Sequence, residues 1–75
     1  MVVLFENSKG KFRQIGKANN DKEGYAIINS FLEEHKFKSY YTRVIKLEDG
    51  SKKLDVGSYT EFFYFVEDGK LGNYI

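Results

Sequence analysis

Short apolar runs alternate with turn clusters along this chain, and one segment only spaces its apolar residues at a helical period. Val2, Val3, Leu4 and Phe5 are β-branched or bulky residues of the kind that pack on a pleated surface. The turn cluster Asn7-Ser8-Lys9-Gly10 follows, and then Phe12-Arg13-Gln14-Ile15, so these residues predict a β-hairpin that Gly16 ends. Next come Ala18-Asn19-Asn20-Asp21, a string of helix N-cap candidates, with Asn20 and Glu23 at capping-box spacing. From Lys22 to His35 the apolar residues Tyr25, Ile28 and Leu32 fall at i, i+3 and i+7, and Ile27 and Phe31 widen the stripe. This is the pattern of an amphipathic helix of about four turns. Lys36 and Lys38 follow it, where cations suit the negative helix pole, but no glycine stands there as a C-cap.

Beyond residue 38 the period becomes two. Tyr41, Arg43, Ile45 and Leu47 share one face of the expected strand and Tyr40, Thr42, Val44 and Lys46 the other, up to the turn Glu48-Asp49-Gly50-Ser51. Leu54 and Val56 form the return strand, Gly57-Ser58 breaks it, and Tyr59 to Val66 is the most strand-like stretch of all. Glu67-Asp68-Gly69-Lys70 turns the chain again and leaves Leu71, Tyr74 and Ile75 as a short final edge. Strands on both sides of one helix, joined by short turns, give an α+β fold: a small, mostly antiparallel sheet with a single amphipathic helix on one face. With 75 residues, no proline and no repeat, residues 1–75 read as one domain.

The segment 59–66 raises the main structural question. Tyr59, Phe63 and Phe65 lie on one of its faces and Phe62, Tyr64 and Val66 on the other, so both sides are bulky. Either the sheet curls and buries both, or one aromatic face meets a partner, and a symmetric homodimer would cover the same patch twice.

Composition narrows the function classes. A hydrophobic fraction of 41% with seven Phe and six Tyr is enough for one small core and excludes a disordered tail. The absence of cysteine removes disulfides, thiolate metal sites and thiol nucleophiles, and fits a cytoplasmic protein. The apolar runs 1–5 and 62–66 are far shorter than the ~20 residues of a membrane-spanning helix, and Glu6 interrupts the first before it could serve as a secretory signal, so the mature protein is expected to start at or near Met1. Net charge is +1 but uneven: residues 1–46 hold nine Lys/Arg against five Asp/Glu, and residues 47–75 three against six.

No residue set names a reaction. His35 is the only histidine, and its place at the helix end suits contact with terminal carbonyls better than a triad or metal site. Asp55, Ser58 and Glu61 surround a strand break, where turn hydrogen bonding explains them without acid–base chemistry. None of the seven glycines forms a phosphate-binding motif, and Gly10, Gly50 and Gly69 sit in turn strings that call for positive φ. The chain is therefore expected to be neither an enzyme nor a cofactor binder. The expected contact set for a protein partner is Tyr40, Tyr41, Arg43, Tyr59 and Tyr64, residue types favoured at binding hot spots. The alternative is a single-stranded nucleic-acid binder that stacks bases on the same tyrosines and pairs phosphates with Lys9, Lys11, Arg13, Lys36, Lys38 and Lys46. A pI near 7.9 and the acidic second half weigh against it.

The strings Asn7-Ser8-Lys9-Gly10-Lys11-Phe12-Arg13, Phe31 through Arg43 and Asp55 through Phe63 resemble those of small uncharacterised proteins encoded by phages and prophages of Gram-positive bacteria. The resemblance implies a phage accessory protein, expressed in the cytoplasm of a bacterial host, that binds a host or defence protein. It carries no catalytic residue across.

Overall fold

The computed structural model describes residues 1–75. Strands β1 (Val2–Glu6) and β2 (Phe12–Lys17) are followed by helix α1 (Asp21–Glu34), then by β3 (Arg43–Lys46), β4 (Lys52–Asp55) and β5 (Phe62–Val66), and the chain finishes with a 3-10 turn over Leu71–Asn73. The strands form one sheet in the order β2-β1-β5-β4-β3, antiparallel at every junction. The fold is α+β, with the helix on one face of the sheet.

Local chemistry explains each connection. Asn7 Oδ1 accepts the backbone N–H groups of Lys9 and Lys11 at 2.9 and 3.0 Å, closing the first hairpin. In the second, Asp49 Oδ1 accepts the Ser51 N–H at 2.9 Å. The turn glycines Gly10, Gly50 and Gly69 have φ of 77°, 87° and 84°. β2 does not end at Gly16 but runs through it to Lys17. The register passes from Val3↔Gly16 to Leu4↔Gln14, which leaves Ile15 as the extra residue of a β-bulge.

The helix starts where its cap residues place it. The Glu23 N–H donates to Asn20 Oδ1 at 2.9 Å, and Glu23 Oε1 accepts the Asn19 N–H at 2.9 Å, so two donors outside the intrahelical ladder are satisfied reciprocally. Its C-terminus is closed without glycine. Lys36 takes up φ 56°, the Lys36 N–H donates to the Glu33 carbonyl at 3.2 Å, and the Phe37 N–H reaches back to Leu32 at 2.9 Å. This is a Schellman motif with lysine in the left-handed position.

Ile28, Phe31 and Leu32 of α1 pack against Val3, Phe5, Leu54, Val56, Phe63 and Phe65 of the sheet and its margin. At the centre, Phe5, Phe31 and Phe63 meet pairwise with ring centroids 4.7, 5.4 and 5.6 Å apart. Aromatic pairs of this kind contribute about 0.5–1.5 kcal/mol each beyond their area burial.

The opposite face is covered too. Leu4, Tyr64 and Val66 are buried there beneath Phe12, Leu47, Leu71 and Tyr74. A homodimer formed over β5 requires one face of that strand to stay in water. Tyr64 and Val66 are buried on one side and Phe63 and Phe65 on the other, so that premise fails and the case for a second copy over this strand goes with it.

Three segments differ from the pattern read in the sequence. Pairing begins at Arg43 rather than Tyr40, β5 begins at Phe62 rather than Tyr59, and Leu71, Gly72 and Asn73 coil instead of adding an edge strand. Tyr74 is held in place by its hydroxyl, which donates to Asp49 Oδ2 at 2.9 Å, beside an Asn73 Nδ2 donation to the same oxygen at 3.1 Å. These bonds anchor the C-terminal segment to the β3–β4 turn.

Candidate functional site

The segment leaving α1 and the one joining β4 to β5 approach each other beside the helix end. The Tyr40 N–H donates to the Val56 carbonyl at 3.0 Å, which fixes the spacing between them. Gly57, at φ 96°, lies against both Tyr40 and Tyr41: a Cβ there would come within 3.1 Å of Tyr40 and 3.3 Å of Tyr41. Only glycine combines that dihedral with that proximity. Asp55 Oδ1 accepts the Gly57 N–H at 2.9 Å, and its Oδ2 accepts Arg43 Nη2 at 3.2 Å, so the buried Asp55 carboxylate ties the bend to the start of β3.

The bend that follows is held by hydroxyls. Ser58 Oγ donates to Glu61 Oε1 at 2.5 Å and Thr60 Oγ1 donates to Glu61 Oε2 at 2.7 Å. These bonds favour the carboxylate and hold Glu61 below the ordinary glutamate range. Both Glu61 oxygens are engaged in the bend, and Tyr59 within it projects into solvent at 97% exposure.

The two segments and the helix end enclose an open groove of about 600 Å³. Leu32, Phe37, Val56 and Phe63 form its apolar lining, Tyr40 and Tyr59 stand at its margin, and Lys36 and Lys38 supply positive charge. Tyr40 is 72% exposed, and Phe37 and Tyr41 are exposed as well. Ser58, Thr60 and Glu61 line it too, so the groove offers apolar surface, hydroxyls, ammonium groups and a carboxylate held by the bend. His35 does not bond the terminal carbonyls through its ring. It packs on Phe31 and Phe37 instead, with centroids 4.1 and 6.0 Å away.

Of the residues expected at a protein contact, Tyr40 and Tyr59 are exposed and line this groove, Tyr41 is exposed against Gly57 but outside the lining, and Arg43 is exposed at the start of β3. Tyr64 belongs elsewhere. It is 6% exposed on the opposite face, packs against Phe12 and Tyr74, and its hydroxyl donates to Glu6 Oε1 at 2.7 Å. Burial, then the Glu6 carboxylate, push its pKa well above the ordinary tyrosine value. Tyr64 is therefore a core residue and leaves the contact set. Phe37, absent from that expected set, lines the groove, and its only signal in the sequence is an aromatic between two lysines just past a helix.

The basic residues do not form one track. Lys9, Lys11 and Arg13 belong to the β1–β2 hairpin at one edge of the sheet and Lys46 to β3 at the other, with β1, β5 and β4 between the edge strands. Only Lys36 and Lys38 line the tyrosine groove. No group of three or more His, Cys, Asp or Glu side chains is placed to hold a metal ion, and no helix is long and apolar enough to cross a membrane. Comparison with protein-family models, with curated proteins and with solved structures finds no match for this chain.

Proposed function

We propose that this chain is a small, non-enzymatic binding module that recognises another protein through the groove at the end of α1. One observation carries the reading: the exposed aromatics Phe37, Tyr40 and Tyr59 line a single groove while the two cores are closed. Exposed aromatics are expensive to leave in water and are the common anchors of protein interfaces. Lys36 and Lys38 give this surface a polar rim. A phage accessory protein that binds a host or defence protein in a bacterial cytoplasm is the biological role consistent with the sequence resemblance.

The test is affinity capture from a bacterial lysate with the intact chain and with a Tyr40→Ala/Tyr59→Ala variant. Both side chains are exposed, so the variant keeps its fold. A protein captured by the first and released by the second supports the reading. Equal capture by both refutes it.

Single-stranded nucleic-acid binding is the second reading, favoured by Lys36 and Lys38 standing with the tyrosines. Its signature is affinity that falls steeply as salt rises. With the remaining lysines on separate elements, an oligonucleotide that fails to bind at low ionic strength removes it.

A further inference from the structure

The two edges of the sheet are unlike each other. β2 is interrupted by its bulge at Ile15, and α1 packs against it. β3 is regular, bonded to β4 alone, and exposed along its whole length. Its two central residues are apolar, with Val44 at 42% and Ile45 at 38% exposure. The Leu47 N–H donates to the Ser51 carbonyl at 2.8 Å, and alternation from that bond makes Ile45↔Lys53 and Arg43↔Asp55 the hydrogen-bonded pairs. The N–H and C=O groups of Val44 and Lys46 therefore point away from β4, a free ladder edge of the kind that accepts another strand.

Charge decides which strand fits. A second copy added antiparallel must set outward-facing residues against outward-facing ones, so near the middle of β3 its two-fold axis falls at Val44 or at Ile45; Arg43 and Lys46 then face Ile45 and Thr42 in the first register and Leu47 and Val44 in the second. Neither register gives either cation a carboxylate, and opposite-charge pairs directly across a ladder are the stabilising ones. A strand with carboxylates facing Arg43 and Lys46, and apolar residues facing Val44 and Ile45, gives both cations a partner and covers both apolar side chains. Arg43 keeps about two-thirds of its side chain in solvent despite its bond to Asp55, so its remaining N–H groups are available.

We infer that the free edge of β3 binds an extended segment of a partner protein by strand addition, and that the segment has the core pattern acidic-apolar-apolar-acidic. This inference rests on the protein-binding reading and specifies its partner. The tyrosine groove and β3 are joined through residues 40–43, so a partner gripped by the aromatics has the strand edge next to it.

The test uses the full chain and labelled, end-capped peptides in fluorescence anisotropy at low ionic strength. A peptide with the core Glu-Val-Val-Glu is expected to bind, and Lys-Val-Val-Lys, which sets ammonium groups opposite both cations, to bind at least about tenfold more weakly. Methylating the N–H groups of consecutive central residues of the first peptide is expected to abolish binding, since it blocks the ladder and spares the charge. Val44→Pro on the protein side removes an outward N–H without touching the bonds to β4, and is expected to weaken binding about tenfold or more. Arg43→Glu/Lys46→Glu is expected to reverse the preference between the two peptides. Failure of Glu-Val-Val-Glu to bind overturns strand addition, as does undiminished binding of its N-methylated form. The methylated peptide settles the question on the unaltered protein even if Val44→Pro does not fold. If a tyrosine-dependent partner is captured but the peptide does not bind, the edge proposal fails alone. If no partner depends on the tyrosines, the groove reading fails, and the peptide result still reports on the edge.

Discussion

Lys36→Gly should make this protein more stable, and the reason lies in how α1 ends. Lys36 holds φ 56° so that two N–H groups can reach the Leu32 and Glu33 carbonyls. A side chain with a Cβ in that region costs about 1–2 kcal/mol, whereas glycine visits it freely. Glycine gives back part of that gain because its unfolded chain is more flexible, by about 0.5–1 kcal/mol. The net expectation is about 0.5–1 kcal/mol of stabilisation, or a rise in Tm of about 2–8 °C for a domain of this size. Lys36→Ala is the control: it removes the same charge and the same methylene stem but keeps the Cβ, so it should show no gain. Thermal unfolding followed by circular dichroism, with urea titration as a second measure, separates the two. If alanine matches glycine, the effect comes from the lost lysine side chain. If glycine gains nothing over alanine, residue 36 is not left-handed and the Schellman end is wrong.

Gly24→Ala should do the reverse although it puts a better helix former into α1. The new Cβ would lie 2.6 Å from the buried Phe65 ring, an overpacking cost of about 1–3 kcal/mol that outweighs a propensity gain of about 1 kcal/mol, and urea unfolding should show a lower midpoint. Acid should loosen the C-terminal segment. Asp49 is held down from 3.8 to about 2, chiefly by the Asn73 side chain and then by the Ser51 N–H and Tyr74 hydroxyl. A depressed folded value means stability that is present above pH 3.8 and lost as pH falls toward 2. Asp49→Asn should flatten that part of the pH–stability profile, and an unchanged profile would remove Asp49 from the account.

Much of this fold is written in local patterns, and what is not written concerns partners. The helix is legible because Asn20 and Glu23 mark its start and the stripe Ile28, Phe31, Leu32 marks its buried side. The hairpin turns are legible because Asn7, Asp49 and the glycines perform chemistry that depends on near neighbours alone. Residues 40–42 and 59–61 alternate or look strand-like as well, but a strand requires a ladder, and periodicity does not record whether another segment lies alongside. At 58–61 the Ser58 and Thr60 hydroxyls bind Glu61 and bend the chain before pairing starts. Leu71 and Tyr74 were compatible with an edge strand, yet their spacing of three also suits one helical turn, and the anchor at Asp49 decides between them. The candidate surface shows the same division. Alternation separates Tyr64 from Phe63 but says nothing of what lies over each, and it is the C-terminal segment that covers Tyr64.

The strand order assigns β5 a role its length does not suggest. β2 pairs only with β1 and β3 only with β4, each joined to its neighbour by a short local turn, while β5 alone bonds both pairs. Without residues 62–66 the sheet is two separate hairpins, and an isolated hairpin is marginal in water. The strand that unites them is the last of the five in chain order, and it must sit between two segments that precede it. Stability is thus concentrated in the final insertion: the chain gains little from either half alone and acquires its sheet when β5 enters, which makes a polypeptide of this size behave as a single cooperative unit.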